Sequence, residues 1–195
     1  MGAHRWLVAW LVVGAFAVLA VGVTFSTFSN TTSNSNDSFA TGTVTLTDND
    51  AGAAMLSLAS AKPGNASTGC IKVTYTGSLD STVRLYGTVS GSLAPCLQLT
   101  VTRGTDSAPS FASCTNFTAD ATNYIGAGAG VIYSGVLSGY PVSYGAGVVD
   151  PTSGAPATWS TNAAHSYKFV VSLVNNPSAQ GLSSTATFTW EARNL

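Results

Sequence analysis

Apolar residues recur at every second position along most of this chain, in short runs separated by Gly, Pro, Asn and Ser, and this limits what it can fold into. In CIKVTY, Ile71, Val73 and Tyr75 share one face; in STVRLYGTV, Val83 and Leu85 oppose Arg84 and Tyr86. The run PCLQLTVTR sets Leu97, Leu99 and Val101 in register, SYKFVVSL sets Tyr167, Phe169, Val171 and Leu173, and STATFTWEAR sets Ala186, Phe188 and Trp190. A period of two is the mark of a strand with one face buried and one wet, as in an antiparallel sheet. Weaker strand signals lie at 39–46 and 131–133, and no helical period runs through residues 27–195. About eight to ten short strands with turn residues between them predict an all-β fold, an antiparallel β-sandwich of jelly-roll type.

Ahead of the strands, the chain reads as a secretory leader. His4 and Arg5 give it a positive end, Trp6–Val23 an unbroken apolar run, and Ala20, Gly22, Thr24 and Ser26 the small residues that a signal peptidase needs. The run is long enough to span a bilayer, but small-residue pairs follow it at once and favour cleavage, after Gly22 or after Ser26. The organisation expected is a signal peptide at 1–26, an amino-terminal arm at 27–38 and one β-sandwich domain at 39–195. The arm, TFSNTTSNSNDS, holds Phe28 and almost nothing else to bury, so alone it should be flexible. Its Thr content, and its lack of Pro and Gly, suit a strand added to another sheet's edge.

Only 8% of residues are charged, and past the leader the cations are Lys62, Lys72, Lys168, Arg84, Arg103 and Arg193. So few cannot neutralise a phosphate backbone, which argues against a nucleic-acid partner. Cys70, Cys96 and Cys114 allow one disulfide and leave one thiol, and spacing does not choose the pair. The Gly-rich stretch 124–159 reads as a long ordered loop whose Tyr140, Tyr144 and Trp159 need something to pack on.

Catalytic chemistry has few footholds. After the leader there is one histidine, His165, and one glutamate, Glu191, with no H-E-x-x-H and no G-x-S-x-G. Placed just before a strand, His165 reads as a surface residue. Asp48-Asn49-Asp50-Ala51-Gly52 resembles half of a calcium loop, with Asp48 and Asp50 as ligands and no distal Glu, and it also serves as a strand-ending turn. The sequence calls for no other cofactor. Asn30, Asn36, Asn65 and Asn116 head Asn-x-Ser/Thr triplets, as expected by chance in so Ser/Thr-rich a chain. Tyr133, Tyr140, Tyr144 and Trp159 could line a carbohydrate cleft, which makes a monomeric glycan-binding module the alternative to a structural protein.

The order of motifs resembles the TasA/camelysin family of secreted bacterial biofilm-matrix proteins. The shared features are the apolar leader, TFSTFS, FATGTVTL, DNDAGAAM, CIKVTYTGS, VRLYG, LAPCLQLTVTRG and TFTWEAR, which together span nearly the whole chain. The resemblance implies a jelly roll, a signal peptidase that cuts between Ser26 and Thr27, and extracellular assembly into fibres in the matrix or at the cell surface. It implies donor-strand exchange, in which the arm of one subunit (Thr27, Phe28, Ser29, Asn30, Thr31, Thr32) completes the sheet of the next copy. The partner is then the chain itself, head to tail, together with accessory matrix proteins, and the membrane matters only through the leader. The family likeness further implies a Cys70–Cys114 disulfide, with Cys96 the odd thiol. Camelysin-like proteins are described as metalloendopeptidases, a role for which this sequence lacks the ligands.

Overall fold

Strands form where the alternation places them, and they stack into two main sheets, with one separate pair of two-residue strands. The structure is a computed structural model that describes residues 29–33, 44–59, 61–152 and 155–195. The leader, the Ser26–Thr27 junction, Phe28 and Phe39 lie outside the described residues. The strands are β1 (Ser29–Ser33), β2 (Leu46–Asp48), β3 (Ala66–Tyr75), β4 (Ser81–Ser90), β5 (Leu97–Asp106) and β6 (Phe117–Ala119). They continue as β7 (Val131–Val136), β8 (Val148–Val149), β9 (Pro151–Thr152), β10 (Ala155–Pro156), β11 (Ala164–Leu173) and β12 (Thr185–Asn194). The described residues contain short 3-10 turns and no α-helix.

One sheet has the order β1-β12-β4-β8 and the other β2-β3-β11-β5-β6, with β7 also paired to β5. The antiparallel pairs β1–β12, β3–β11, β4–β8 and β5–β7 nest inside one another along the chain and alternate between the sheets. First strand with last, and each inner pair on the opposite sheet, is the winding of a jelly roll. The arm therefore supplies the fold's first strand.

Between the sheets the core is aromatic. Phe169 and Tyr167 of β11 are fully buried, and they meet Phe188 and Trp190 of β12 across the sandwich at centroid distances of 4.5 to 5.9 Å. Val73, Tyr75, Val83, Leu85, Leu99 and Val101 fill the layer around them, each at 0 or 1% exposure, as the period of two requires. Ala186, on the same predicted face as Trp190, is exposed instead, because β12 runs out past the core at that end.

Several strands are longer than their apolar runs. β3 begins at Ala66 and not Cys70, since Ala-Ser-Thr-Gly, which reads as a turn, pairs with Phe169–Ser172 of β11. Gly69 sits there because a Cβ would lie 2.5 Å from Met55 Cγ; the 53–59 segment packs directly on the strand. Gly104 likewise lets β6 approach β5, a Cβ being 2.1 Å from the Thr118 carbonyl oxygen. Of the expected strand at 39–46, residues 39–43 lie outside the described residues; the strand described there is Leu46–Asp48, paired with Val73–Tyr75, so Asp48 belongs to the ladder. Of the pairings the cysteine count leaves open, the structure has Cys70–Cys114, 44 residues apart, with Cys96 buried and free. By loop entropy such a link contributes about 4 kcal/mol.

Phe169→Ala should lower the unfolding free energy by about 3–5 kcal/mol, the cost of a large core cavity, measured by urea denaturation followed through tryptophan fluorescence.

Candidate assembly edge

β12 lies between β4 and β1, and the two sides are unequal. Against β4 it pairs over its whole length, from Thr185↔Ser90 to Asn194↔Ser81. Against β1 it pairs over five residues, from Ser29↔Arg193 to Ser33↔Thr189. Among the described residues no strand pairs with the β1 side of Thr185–Phe188. The strand is held in place from its outer face independently of the arm. Tyr86 Oη donates to Glu191 Oε2 at 2.8 Å, and Arg193 Nε donates to Glu191 Oε1 at 2.8 Å. The Arg193 guanidinium then stacks 3.8 Å from the Tyr144 ring centroid.

Under the unpaired half of β12 lies an open groove of about 310 Å³ between the sheets, walled by Met55, Leu56, Leu58, Leu93, Phe188 and Trp190. Ser184 and Trp190 both line it, and Ser184 Oγ and Trp190 Nε1 are buried without a hydrogen-bond partner. Apolar walls, two unspent hydrogen-bonding groups and a free backbone edge are what a strand with an apolar side chain needs for docking.

His165, read from sequence as a surface residue, belongs instead to a buried polar network around Asp150. Asp150 is fully buried at the end of the Gly-rich loop, where its N–H donates to the Val83 carbonyl at 3.0 Å. Its Oδ1 accepts from Arg103 Nε (2.6 Å) and Tyr167 Oη (3.0 Å). Its Oδ2 accepts from Trp159 Nε1 (2.8 Å), and His165 Nδ1 lies 2.9 Å from it. Arg103 also pairs with Asp120, which accepts from Tyr124 Oη at 2.8 Å. Burial works against the Arg103 charge, but Asp150 and Asp120 outweigh it and raise its pKa further. Burial pushes the Tyr167 hydroxyl well up, with the Asp150 charge adding to it, so it stays a donor.

This Asp–His pair has no nucleophile to serve. Arg103 Nη2 lies 3.1 Å from Nδ1 and 2.9 Å from Nε2 of His165, nearly equal distances that put the guanidinium over the ring. Trp159 stands against the same imidazole at 4.3 Å. The network pins the Gly-rich loop and the 117–124 segment to β5 and β11. Sequence reading singled out only His165 and Trp159 of it. The one signal for Asp150 was its being a rare charge in a nearly uncharged loop.

The four aromatics of the supposed glycan cleft do not share a surface. Trp159 and Tyr140 are buried at 0 and 2% exposure, Tyr133 packs edge-on to Tyr140 at 5.0 Å, and Tyr144 lies under Arg193. Of the donor-strand residues, Ser29, Asn30, Thr31 and Thr32 are in β1, and Thr27 lies outside the described residues. Asp48 ends β2, and Asp50 follows in a turn at 5% exposure. Among the described residues no group of three or more His, Cys, Asp or Glu side chains is arranged around a metal position, and no helix is long and apolar enough to cross a membrane. No protein-family model matches the sequence, and neither does any curated protein compared with it.

Asp150→Ala strands the buried Arg103 charge and should cost about 3–5 kcal/mol, read as a lower urea midpoint. A midpoint unchanged from wild type would show that the network is not structural.

Proposed function

We propose that this protein is a secreted structural subunit that polymerises head to tail into extracellular fibres, each copy's amino-terminal arm serving as the first strand of its neighbour's jelly roll. The observation that supports this reading is the pairing of β1 with β12. A five-residue polar strand closes the sheet, and it is tied to the rest of the fold by residues 34–43, which fully extended span about 35 Å. The same backbone hydrogen bonds form whether the arm comes from the same chain or another, so exchange costs little in contacts. One arm and one acceptor edge per chain give a heterologous joint that does not close on itself, hence a filament.

A self-paired arm competes with assembly at an effective concentration of about millimolar. Release of the arm from a membrane-bound leader by signal peptidase, where subunits are crowded, is the natural moment for exchange. The resemblance to the TasA/camelysin family supports a biofilm-matrix or cell-surface setting, with accessory matrix proteins as further partners. Peptidase activity has no support in the site: the single histidine past the leader is held between Arg103, Trp159 and Asp150. Glycan binding has little, because the large aromatics are mostly buried.

Chains beginning at Thr27 should form filaments by negative-stain electron microscopy and sedimentation, and chains beginning at Phe39 should not. Because truncation also removes β1, a second variant separates assembly from folding: Ser29→Cys with Arg193→Cys, opposite each other in register. Oxidised, this chain should stay monomeric with a higher melting temperature; reduced, it should polymerise. Filaments from the oxidised, cross-linked chain would refute exchange of the arm.

A further inference from the structure

The end of β2 and the turn after it bring two carboxylates together, and one oxygen of Asp50 is left without a hydrogen-bond donor. Asp48 Oδ1 accepts the Asp50 N–H at 3.2 Å, and Asp50 Oδ1 accepts the Gly52 N–H at 2.7 Å. Asn49 is committed elsewhere, its Oδ1 accepting the Lys72 N–H at 2.9 Å and so fastening the turn to β3. The Ala53 N–H closes the turn onto the Asp50 carbonyl at 3.0 Å. That leaves Asp50 Oδ2, which is buried and has no hydrogen-bond partner, on a residue only 5% exposed. Among the described residues, the acid-base pairs are Arg103 with Asp120 and Asp150, His165 with Asp150, and Arg193 with Glu191; none involves Asp50.

A buried carboxylate oxygen without a donor is costly, and a second carboxylate beside it adds repulsion. Burial above all pushes the Asp50 carboxyl above the ordinary carboxylate range; the Gly52 N–H pulls it down, and the Asp48 charge and a carboxyl–carboxyl contact with Asp48 push it up. A proton shared between the two relieves this in acid. A bound cation would relieve it without the proton.

We propose that the Asp48–Asp50 turn binds calcium, with Asp50 Oδ2 and the Asp48 carboxylate as its anionic ligands. The donors are all hard oxygens, with no His or Cys in the turn, which selects calcium over zinc or copper. Two carboxylates, with water or backbone carbonyls completing the shell, place the affinity at about 10⁻⁴–10⁻³ M, the range of extracellular calcium modules. The ion fastens the end of β2, which lies against β1 and β12 at the edge of the sandwich. The proposal stands whether or not the chain polymerises.

The test is thermal unfolding of the full chain, stripped with EDTA and titrated with calcium chloride, against magnesium chloride and sodium chloride at matched ionic strength. Calcium at ten times its Kd should raise the melting temperature by about 3–6 °C, saturably, with one ion bound per chain by equilibrium dialysis. Asp50→Asn should melt higher than wild type in EDTA, since the uncompensated charge is gone, and should lose the calcium response. Asp48→Asn should lose the response as well, and it serves as the second variant if Asp50→Asn does not fold. No calcium-specific shift in the wild type, a shift equalled by magnesium, or a shift kept by whichever variants fold would overturn the proposal.

Discussion

The antiparallel pairing of β12 with its two neighbours carries the architecture. β12 contributes Trp190 and Ala192 to the core, and its ladder with β4 spans ten residues. The remaining edge is closed by five residues of a polar arm. Of the other sheet-end strands, β8 has two residues and β2 and β6 three each, while β7, beside β6 on β5, has six. Short edge strands present few free N–H and C=O groups and so resist unwanted pairing. Without the arm, β12 alone is a ten-residue strand beside an apolar groove.

The Asp150 network explains how so Gly-rich a loop can be ordered. Stretch 124–159 buries Ile132, Leu137, Tyr140 and Trp159 in the core, and a polar anchor adds to that apolar contact. Three donors converge on one carboxylate, from β5, β11 and the loop itself, with His165 Nδ1 2.9 Å away. A buried network of this kind specifies one arrangement, because any displacement strands a charge. Trp159 joins the two modes of attachment, its ring fully buried in the core and its N–H on Asp150.

Legibility in the sequence followed the physics of each feature. Core strands could be read because burial on one face imposes alternation: Tyr167, Phe169, Val171 and Leu173 are all inside. Strand ends could not, because Ala66–Gly69 pairs through backbone alone and has turn-like side chains. His165 was misplaced for a different reason. Its partial burial, with the side chain 20% exposed, depends on Asp150, Arg103 and Trp159, which come from other parts of the chain, and no local pattern records that meeting. Asp48 and Asp50 were visible as a pair, but the buried Oδ2 that gives the pair chemical meaning is a property of three-dimensional packing.

In the proposed assembly the arm has two roles, first strand of its own sheet and donor to a neighbour's, and its composition suits both. A strand that must leave one sheet and join another cannot carry a large apolar face, since that face would hold it fast or drive nonspecific collapse while free. Ser, Thr and Asn supply a backbone that pairs, at little hydrophobic cost to release. Specificity then rests with the acceptor: register against Thr189–Arg193, the outer-face clamp of Glu191 and Arg193, and the groove beside Phe188. On the proposed reading, a weak donor and a well-packed acceptor favour exchange at a rate set by release of the arm.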